Sequence, residues 1–342
     1  RPAPEVAIKS KPVRRQQMRH LRQNIRKLLA RVDPEIRVEG SWDRVDVEVP
    51  DGRGHSGPVI EALLRIPGIS TIQEIAAFPL VSLEDVAEKA VEAFSERLNG
   101  KTFAVRARRH GEHGFRSIDL ERTVGAALMQ ASGATGVNLK SPQVEVRIEV
   151  QGDQFHIAHR KHRGLGGYPL GGVENVLTLI SGGYDSSVAA YLMMRRGLRN
   201  HFLFFNLGGT AHEVGVRQVV HYLWDRYGAS HSAKFISVPF EGVVAEIMRS
   251  VNHRHWGVVL KRQMLMAAAE IARKNNAIGL VTGDAVAQVS SQTLSNLNVV
   301  DRASDEVVLR PLVSMDKDSI IRIAREIGTE SYARTMPDYC GV

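Results

Sequence analysis

The sequence predicts an α/β protein in which a doubly wound parallel sheet forms the carboxyl-terminal half and an α+β region precedes it. Three observations lead there. From residue 173 onward short, apolar, β-branched runs alternate with amphipathic helical stretches, the pattern of repeated βαβ units. Upstream, periods of two and of 3.6 residues follow the order β-α-β-β-α-β and then helix, strand, helix and hairpin. Between the two regions lies Gly164-Leu-Gly-Gly-Tyr-Pro-Leu-Gly-Gly172, a composition suited to a linker.

In chain order, a short strand is expected over residues 4–10 and a helix over 12–32, where Met18, Leu21, Ile25, Leu28, Leu29 and Val32 recur at three and four. Arg14, Arg15, Arg19, Arg22, Arg26 and Lys27 occupy much of the rest of that helix. Strands at 36–40 and 44–49, a turn at 51–57, a helix at 58–65 and a strand near 69–76 complete a ferredoxin-like order. A helix at 83–98 closes on Asn99-Gly100. Residues 101–109 then alternate apolar and basic side chains, as a half-buried strand with one cationic face does. The Ser117-Ile-Asp-Leu-Glu121 run caps a helix to about Ala131, and strands follow at 144–150 and 154–158. In the last half, strands are expected at 176–180, 201–207, 234–239, 278–282 and 307–309, with helices at 185–196, 214–227, 258–274 and 316–327.

Composition narrows the function classes. With 43% hydrophobic and 24% charged residues the 342-residue chain should bury two or three cores. No apolar run approaches the ~20 residues that cross a bilayer, so a cytoplasmic protein without membrane association is expected. The net charge of +8 is unevenly placed: residues 1–40 carry eleven Lys and Arg against four acids, whereas residues 173–342 carry eighteen against sixteen. A polyanionic partner is therefore expected at the amino-terminal half. Thirteen histidines show no metal-ligand spacing; His253 and His255 are assigned to surface or RNA contact, and no metal site within the protein is expected. The chain begins at Arg1, which predicts an incomplete or processed chain.

The stretch that carries chemistry is Val176-Leu-Thr-Leu-Ile-Ser-Gly-Gly-Tyr-Asp-Ser-Ser187. It reads as strand, anion loop, helix: Gly182 and Gly183 permit positive φ and close backbone approach, and Asp185 and Ser186 sit where a helix is capped. The amides freed at that helix start, with the positive end of its dipole, can hold phosphate. Neither G-x-x-x-x-G-K-[ST] nor G-x-G-x-x-G is present at this point.

Ser181-Gly-Gly-Tyr-Asp-Ser186 resembles the S-G-G-x-D-S loop of the PP-loop ATP pyrophosphatases, which transfer AMP from ATP to an oxygen that must leave. The helix, basic strand, capped helix and hairpin upstream resemble a THUMP domain, an RNA-binding module. The order ferredoxin-like (1–72), THUMP (73–165), linker (166–172) and PP-loop domain (173–342) is similar to that of the tRNA 4-thiouridine synthetases. Phe204-Phe-Asn-Leu-Gly-Gly209, His212-Glu-Val-Gly-Val-Arg217, Val281-Thr-Gly-Asp284, Gln288-Val-Ser-Ser-Gln-Thr-Leu294 and Thr335-Met-Pro-Asp-Tyr-Cys-Gly-Val342 extend the resemblance along the chain.

The resemblance implies ATP binding by Leu179, Ile180, Ser181, Gly182, Gly183, Asp185, Ser186, Phe204, Phe205, Lys261, Gly283 and Gln292, with Phe204 and Phe205 flanking adenine. It implies catalytic roles for Asp185, acting at the phosphates through Mg²⁺, and for Cys340, which lies in the family's sulfur-transfer motif. ATP and Mg²⁺ are the implied cofactors. The implied reaction is adenylation of uracil O4 at tRNA position eight and displacement of AMP by a persulfide sulfur, with a tie to thiamine biosynthesis. The partners are tRNA, a persulfide donor such as a cysteine desulfurase or a rhodanese-like domain, and a second copy in a homodimer. Arg15, Arg22, Arg106, Arg108, Arg109, Lys161 and Arg163 are the RNA-contacting candidates. Because some members continue into a rhodanese-like domain, the sequence ending at Val342 predicts a truncated chain, members without that domain being the alternative. Cys340 is the only cysteine, which excludes an internal disulfide and an iron–sulfur cluster held by this chain. A small-molecule adenylating enzyme and a non-catalytic RNA-binding protein remain as other readings.

Overall fold

The computed structural model describes residues 1–50 and 56–336 and divides the chain into two units. One joins residues 1–70 to the chain from Gly164 onward, and the other is Thr71–Arg163.

The first unit opens with the helical turn α1 (Pro4–Ala7), helix α2 (Lys11–Leu29), the antiparallel pair β1 (Arg37–Gly40) and β2 (Val45–Glu48), and helix α3 (Ser56–Leu64). The strand expected over 4–10 is thus a helical turn. Pro4 stands at its first position and Glu5 in its first turn, both favourable at a helix start. Extended pairing is limited there to a single Pro2–Ile69 bridge. Helix α2 buries Met18, Leu21, Ile25 and Leu29, the expected stripe. Of the turn expected at 51–57, residues 51–55 lie outside the described residues.

The second unit is a five-stranded sheet covered on one face by two helices. Its elements are β3 (Thr71–Pro79), α4 (Leu83–Leu98), β4 (Thr102–His110), α5 (Ser117–Ala131), β5 (Gly136–Val137), β6 (Val144–Gln151) and β7 (Gln154–Arg163), in the order β3-β7-β6-β4-β5. Phe94, Leu98, Leu120, Val124 and Leu128 of the helices pack on Phe103, Val105, Val146, Ile148, Phe155 and Ile157. Ser82 caps α4 by accepting from Asp85 N at 3.0 Å. The cap of α5 is not Ser117: Asp119 reaches back to accept from Arg116 N at 2.9 Å. The strand expected near 69–76 is β3, which pairs along its length with β7. Residues 159–163 accordingly extend β7 beyond the strand expected at 154–158.

Returning to the first unit, the chain forms β8 (Asn175–Leu179), α6 (Tyr184–Arg195), β9 (Arg199–Asn206), α7 (Gly209–Leu223), β10 (Phe235–Pro239), α8 (Glu241–Ser250), α9 (Trp256–Lys274), β11 (Gly279–Val281), α10 (Leu294–Asp301), β12 (Val307–Leu309), α11 (Lys317–Ile327) and α12 (Glu330–Thr335). All five strands are parallel, in the order β10-β9-β8-β11-β12. Val188, Val216, Val219 and Ile320 of α6, α7 and α11 bury one face, and Leu260, Leu265 and Ala268 of α9 bury the other. Coverage on both faces is why the middle of β9, Phe202–Phe205, reads as an unbroken apolar run. Helix α8 was not anticipated; its start carries no side-chain cap that would mark it in sequence.

The glycine-rich stretch 164–172 is packed. Asn24 Nδ2 donates to Leu170 O at 2.9 Å and Gln17 Nε2 to Gly172 O at 3.2 Å, so α2 is pinned to it. On the other side Tyr168 N donates to Arg195 O at 2.9 Å. A methyl group on Gly167, at φ +77°, would collide with the carbonyl of Arg195. That glycine serves close approach as well as turning.

Candidate functional site: a phosphate loop at the switch of a parallel sheet

The sheet reverses its order between β8 and β11, the place where open parallel sheets bind ligands beyond the carboxyl ends of their strands. The Ser181–Ser186 loop leaves β8 there. Gly182 adopts φ +84°, a left-handed conformation suited to glycine. Gly183 is the residue before α6, and Asp185 and Ser186 fall in the first turn instead of capping it. Two hydroxyls brace the loop. Ser186 Oγ accepts from Ser181 N at 3.2 Å, and Ser187 Oγ donates to Gly183 O at 2.9 Å. His212 of α7 bonds through Nε2 to Ser181 O at 3.4 Å. Burial holds the His212 imidazole below its usual pKa, which keeps it neutral beside the loop. The first amides of α6, which have no acceptor within the helix, mark the concave side as an anion site.

Asp185 has two side-chain partners. Lys317, the first residue of α11, donates to both carboxylate oxygens at 2.7 and 3.0 Å, and Gln288 Nε2 donates to Oδ2 at 3.0 Å. Neither partner was among the expected site residues. Lys317 lies in no quoted motif, and its closeness to Asp185 spans 132 positions.

Lys261, Gly283 and Gln292 do converge, and the centre of the convergence is Asp284, which sequence reasoning had not selected. Asp284 is 9% exposed. It accepts from Lys261 Nζ at 2.6 Å, Thr282 Oγ1 at 2.8 Å and Gln292 Nε2 at 3.0 Å, and Arg310 Nε stands 3.5 Å away. Burial, the largest single influence, would push this carboxyl up. The Lys261 charge and the bonds from Lys261, Thr282 and Gln292 more than offset it and hold the carboxyl below its usual range. Gln292 is itself buried, and its Oε1 has no hydrogen-bond partner among the described residues. Gly283 lies directly against the loop, where an added methyl would be 2.8 Å from Asp185 C and Ser186 N.

The remaining nucleotide candidates separate. Leu179 packs toward the α9 side and Ile180 toward the α6 side. Phe204 is in the core with α6 and α7, 4.8 Å from the His212 ring, whereas Phe205 is in the opposite core, 4.6 Å from Phe240. Consecutive strand residues point to opposite faces. Phe204 and Phe205 therefore do not flank one pocket as a pair, a correction to the expectation. Cys340 lies outside the described residues; the last described residue, Met336, rests against Gly182 and Gly215. No group of three or more metal-ligating side chains occurs among the described residues.

The basic candidates are likewise distributed. Arg15 is exposed on α2, while Arg22 is half-buried and donates to Gly40 O at 3.2 Å. In the second unit Arg106 and Arg108 share one face of β4. Arg106 is engaged by Leu139 O and, at 3.5 Å, by Glu145, and Arg108 is exposed. Arg109 falls on the other face of the strand, 5.7 Å from the Phe115 ring. Lys161 and Arg163 are exposed on β7. One feature beyond these is Trp42, exposed beside the β1–β2 turn with the Arg14 guanidinium 4.5 Å above its ring.

Residues 171–342 match the family described as Thiamine biosynthesis protein (ThiI), residues 81–160 the THUMP domain and residues 3–72 the ThiI ferredoxin-like domain. A tRNA sulfurtransferase of Marinobacter nauticus is 81% identical over 342 residues, all of this chain and 71% of that protein. The chain belongs to the ThiI family. A second ThiI-family relative, the tRNA sulfurtransferase of Pseudomonas aeruginosa PAO1, is 52% identical over 99% of this chain and 70% of its own length. Among solved structures, a 4-thiouridine synthetase–RNA complex with bound ATP superposes with a TM-score of 0.84 at 25% identity, covering 97% of this chain and 85% of that one. PH1313 from Pyrococcus horikoshii shares the fold, with a TM-score of 0.69 at 20% identity over 96% of this chain and 98% of its own.

Proposed function

We propose that this ThiI-family chain is an ATP-dependent tRNA sulfurtransferase that makes 4-thiouridine at position eight by adenylating uracil O4 and replacing the adenylate with sulfur. The observation that carries the reading is the braced glycine loop at the sheet's switch point, with the Asp185–Lys317 pair at its helix start and Gly283 against its backbone. The identity to tRNA sulfurtransferases and the likeness to an ATP-bound 4-thiouridine synthetase support the substrate pair.

The oxygen at uracil C4 is a poor leaving group. Its attack on the α-phosphorus of ATP forms a P–O bond and expels pyrophosphate; the terminal sulfur of a donor persulfide then attacks C4 and expels AMP, and a thiol cleaves the S–S bond so formed, leaving sulfur on C4 and a disulfide between that thiol and the donor cysteine. The loop amides of Gly182 and Gly183 and the start of α6 cradle the departing pyrophosphate, and Lys317 supplies positive charge to it. Ser181 and Ser186 hold the loop in shape, and Gly283 lets the β11 end close on it. The free Gln292 Oε1 can accept from the adenine amino group, while Lys261 keeps Asp284 ionised and fixed beneath it. Asp185 would hold Mg²⁺ at the loop, with phosphate oxygens and water as the remaining ligands, since no group of three or more metal-ligating side chains occurs among the described residues. Its chemistry when bound is to neutralise phosphate charge.

Residues 1–72 and 73–165 act as the tRNA-holding ferredoxin-like and THUMP domains, and 173–342 as the catalytic domain. Arg15, Arg108, Lys161 and Arg163, all exposed, supply phosphate contacts, and Arg22 and Arg106 border them. The persulfide is carried by a donor, a cysteine desulfurase or a rhodanese-like domain, and Cys340 is the thiol that cleaves the S–S bond, ending in a disulfide with the donor cysteine; the same sulfur delivery serves thiazole formation for thiamine. The enzyme works in the cytoplasm as a homodimer; no helix among the described residues is long and apolar enough to cross a membrane.

Incubating the chain with tRNA, ATP–Mg and a persulfide donor tests the reading. Pyrophosphate release that depends on tRNA and a new near-ultraviolet absorbance in the tRNA are expected. AMP release without tRNA would favour a small-molecule adenylating enzyme, and absence of nucleotide binding a non-catalytic RNA-binding protein.

A further inference from the structure

Residues 6–32 hold nine Lys and Arg and no Asp or Glu, so helix α2 is cationic from end to end. The β1–β2 hairpin is strapped to it. Arg26 donates to Val38 O at 2.9 Å and Arg22, one turn nearer the helix start, donates to Gly40 O at 3.2 Å. The turn then closes with Ser41 N donating to Arg44 O at 3.0 Å, and Trp42 stands inside it.

An indole is among the largest apolar groups a fold can bury, yet Trp42 is 57% exposed. It is nevertheless held. The Arg14 guanidinium lies 4.5 Å from the ring centroid, and Arg14 Nη1 donates to Ala7 O at 3.3 Å, so the cation is fixed from both sides. Lys11 and Arg15, neighbours of Arg14 on the same turn of α2, are exposed. The two acids of the hairpin turn region are engaged locally: Asp43 accepts from Ser41 Oγ and Asp46 pairs with Arg44. The ring is thus an open aromatic face backed and flanked by positive charge. An apolar protein surface laid over it would desolvate those cations without pairing them. An RNA nucleotide meets both demands, because its base has a flat π face and its phosphate a negative charge. Bases within an A-form duplex are already stacked on both sides, so the nucleotide that fits is unpaired or terminal.

We infer, resting on the tRNA-substrate reading above, that Trp42 is an RNA-binding residue: backed by Arg14, its ring stacks on an unpaired base of the tRNA while Lys11 and Arg15 neutralise phosphates beside it.

Salt separates stacking from charge, since only phosphate contacts release counterions. In anisotropy titrations of the full chain with tRNA, Trp42→Ala is expected to raise Kd about tenfold at every salt concentration, with the slope of log affinity against log salt unchanged. Trp42→Phe stays within about threefold of wild type, whereas Lys11→Ala reduces the slope by about one. A short single-stranded RNA shows the same loss with Trp42→Ala, and a blunt RNA duplex binds both proteins alike. Of the chain's three tryptophans, Trp224 and Trp256 are half-buried with their indole N–H groups bonded to His231 O and Val251 O, so quenching of emission by RNA reports on Trp42. RNA should quench wild-type emission and leave Trp42→Phe unquenched. The melting temperature and the ATP Kd of Trp42→Ala stay at wild-type values. An unchanged tRNA Kd in Trp42→Ala would overturn the inference, as would an equal loss toward the duplex or a slope reduced in step with affinity. Loss of self-association in sedimentation together with RNA affinity would assign the ring to a contact between copies and overturn it too. Wild-type protein that binds tRNA without tRNA-dependent pyrophosphate release would instead sink the enzymatic reading, while the affinity comparison still decides the stack.

Discussion

At Asp185 a carboxylate stands in the first turn of a helix whose free amides invite anions, and Lys317 closes an ion pair with it at 2.7 Å. Replacing Asp185 by Ala should lower tRNA-dependent pyrophosphate release roughly a hundred- to a thousandfold, the scale of losing a preorganised electrostatic group, with tRNA affinity unchanged in a filter-binding assay. Asp284 makes a different claim. Its side chain is 12% exposed and its charge is tolerated because Lys261, Thr282 and Gln292 surround it. Lys261→Ala strands that charge and should cost on the order of 3 kcal/mol in denaturant unfolding. Lys261→Met combined with Asp284→Asn should recover much of the loss, because the stranded charge is then absent.

Among elements, the contact between the β11 end and the phosphate loop is backbone against backbone, so it has no flexible side chain to absorb an insertion. Gly283→Ala, whose methyl would meet Asp185 C and Ser186 N at 2.8 Å, should weaken ATP binding more than tenfold by calorimetry. Helix α2 carries two kinds of arginine. Arg22 and Arg26 donate to the carbonyls of Gly40 and Val38 at 3.2 and 2.9 Å and hold the β1–β2 hairpin, whereas Arg15 is free to face solvent. Reversing Arg15 and Arg22 together to Glu should weaken tRNA binding while the ATP Kd stays constant. The Arg22 change should also lower the melting temperature, which Arg15→Glu alone should not.

Across the whole molecule two solution properties follow. With a footprint of about four phosphates, tRNA affinity should fall about a hundredfold between 50 and 200 mM salt. His231 lies against Gly171 in the packed 164–172 stretch. Burial, with Arg199, Lys27 and His20 nearby, lowers its pKa to about 4. Because the folded value is below the unfolded one, the neutral ring contributes stability that is complete above about pH 6.5. That contribution is lost as pH falls toward 4. A melting series across that window should show a decline that His231→Gln flattens.

The sequence by itself determined the periodic elements and the loop. The five strands of the parallel sheet, α4, the stripe of α2 and the Ser181–Ser186 turn follow from local patterns of apolar spacing and glycine placement, which act over a few residues. Tertiary structure alone decided what meets across the chain. Lys317 reaches Asp185 over 132 positions and α2 is pinned to Leu170 over 146. Strand β3 pairs with β7 instead of closing the first domain, and Phe204 and Phe205 part to opposite cores. Residues 4–10 became a helical turn because Pro4 and Glu5 favour a helix start and only Pro2 found an extended partner. Periodicity records which face of an element is apolar; it holds no information about which distant element will cover that face, and the polar partners of a site are chosen by that packing.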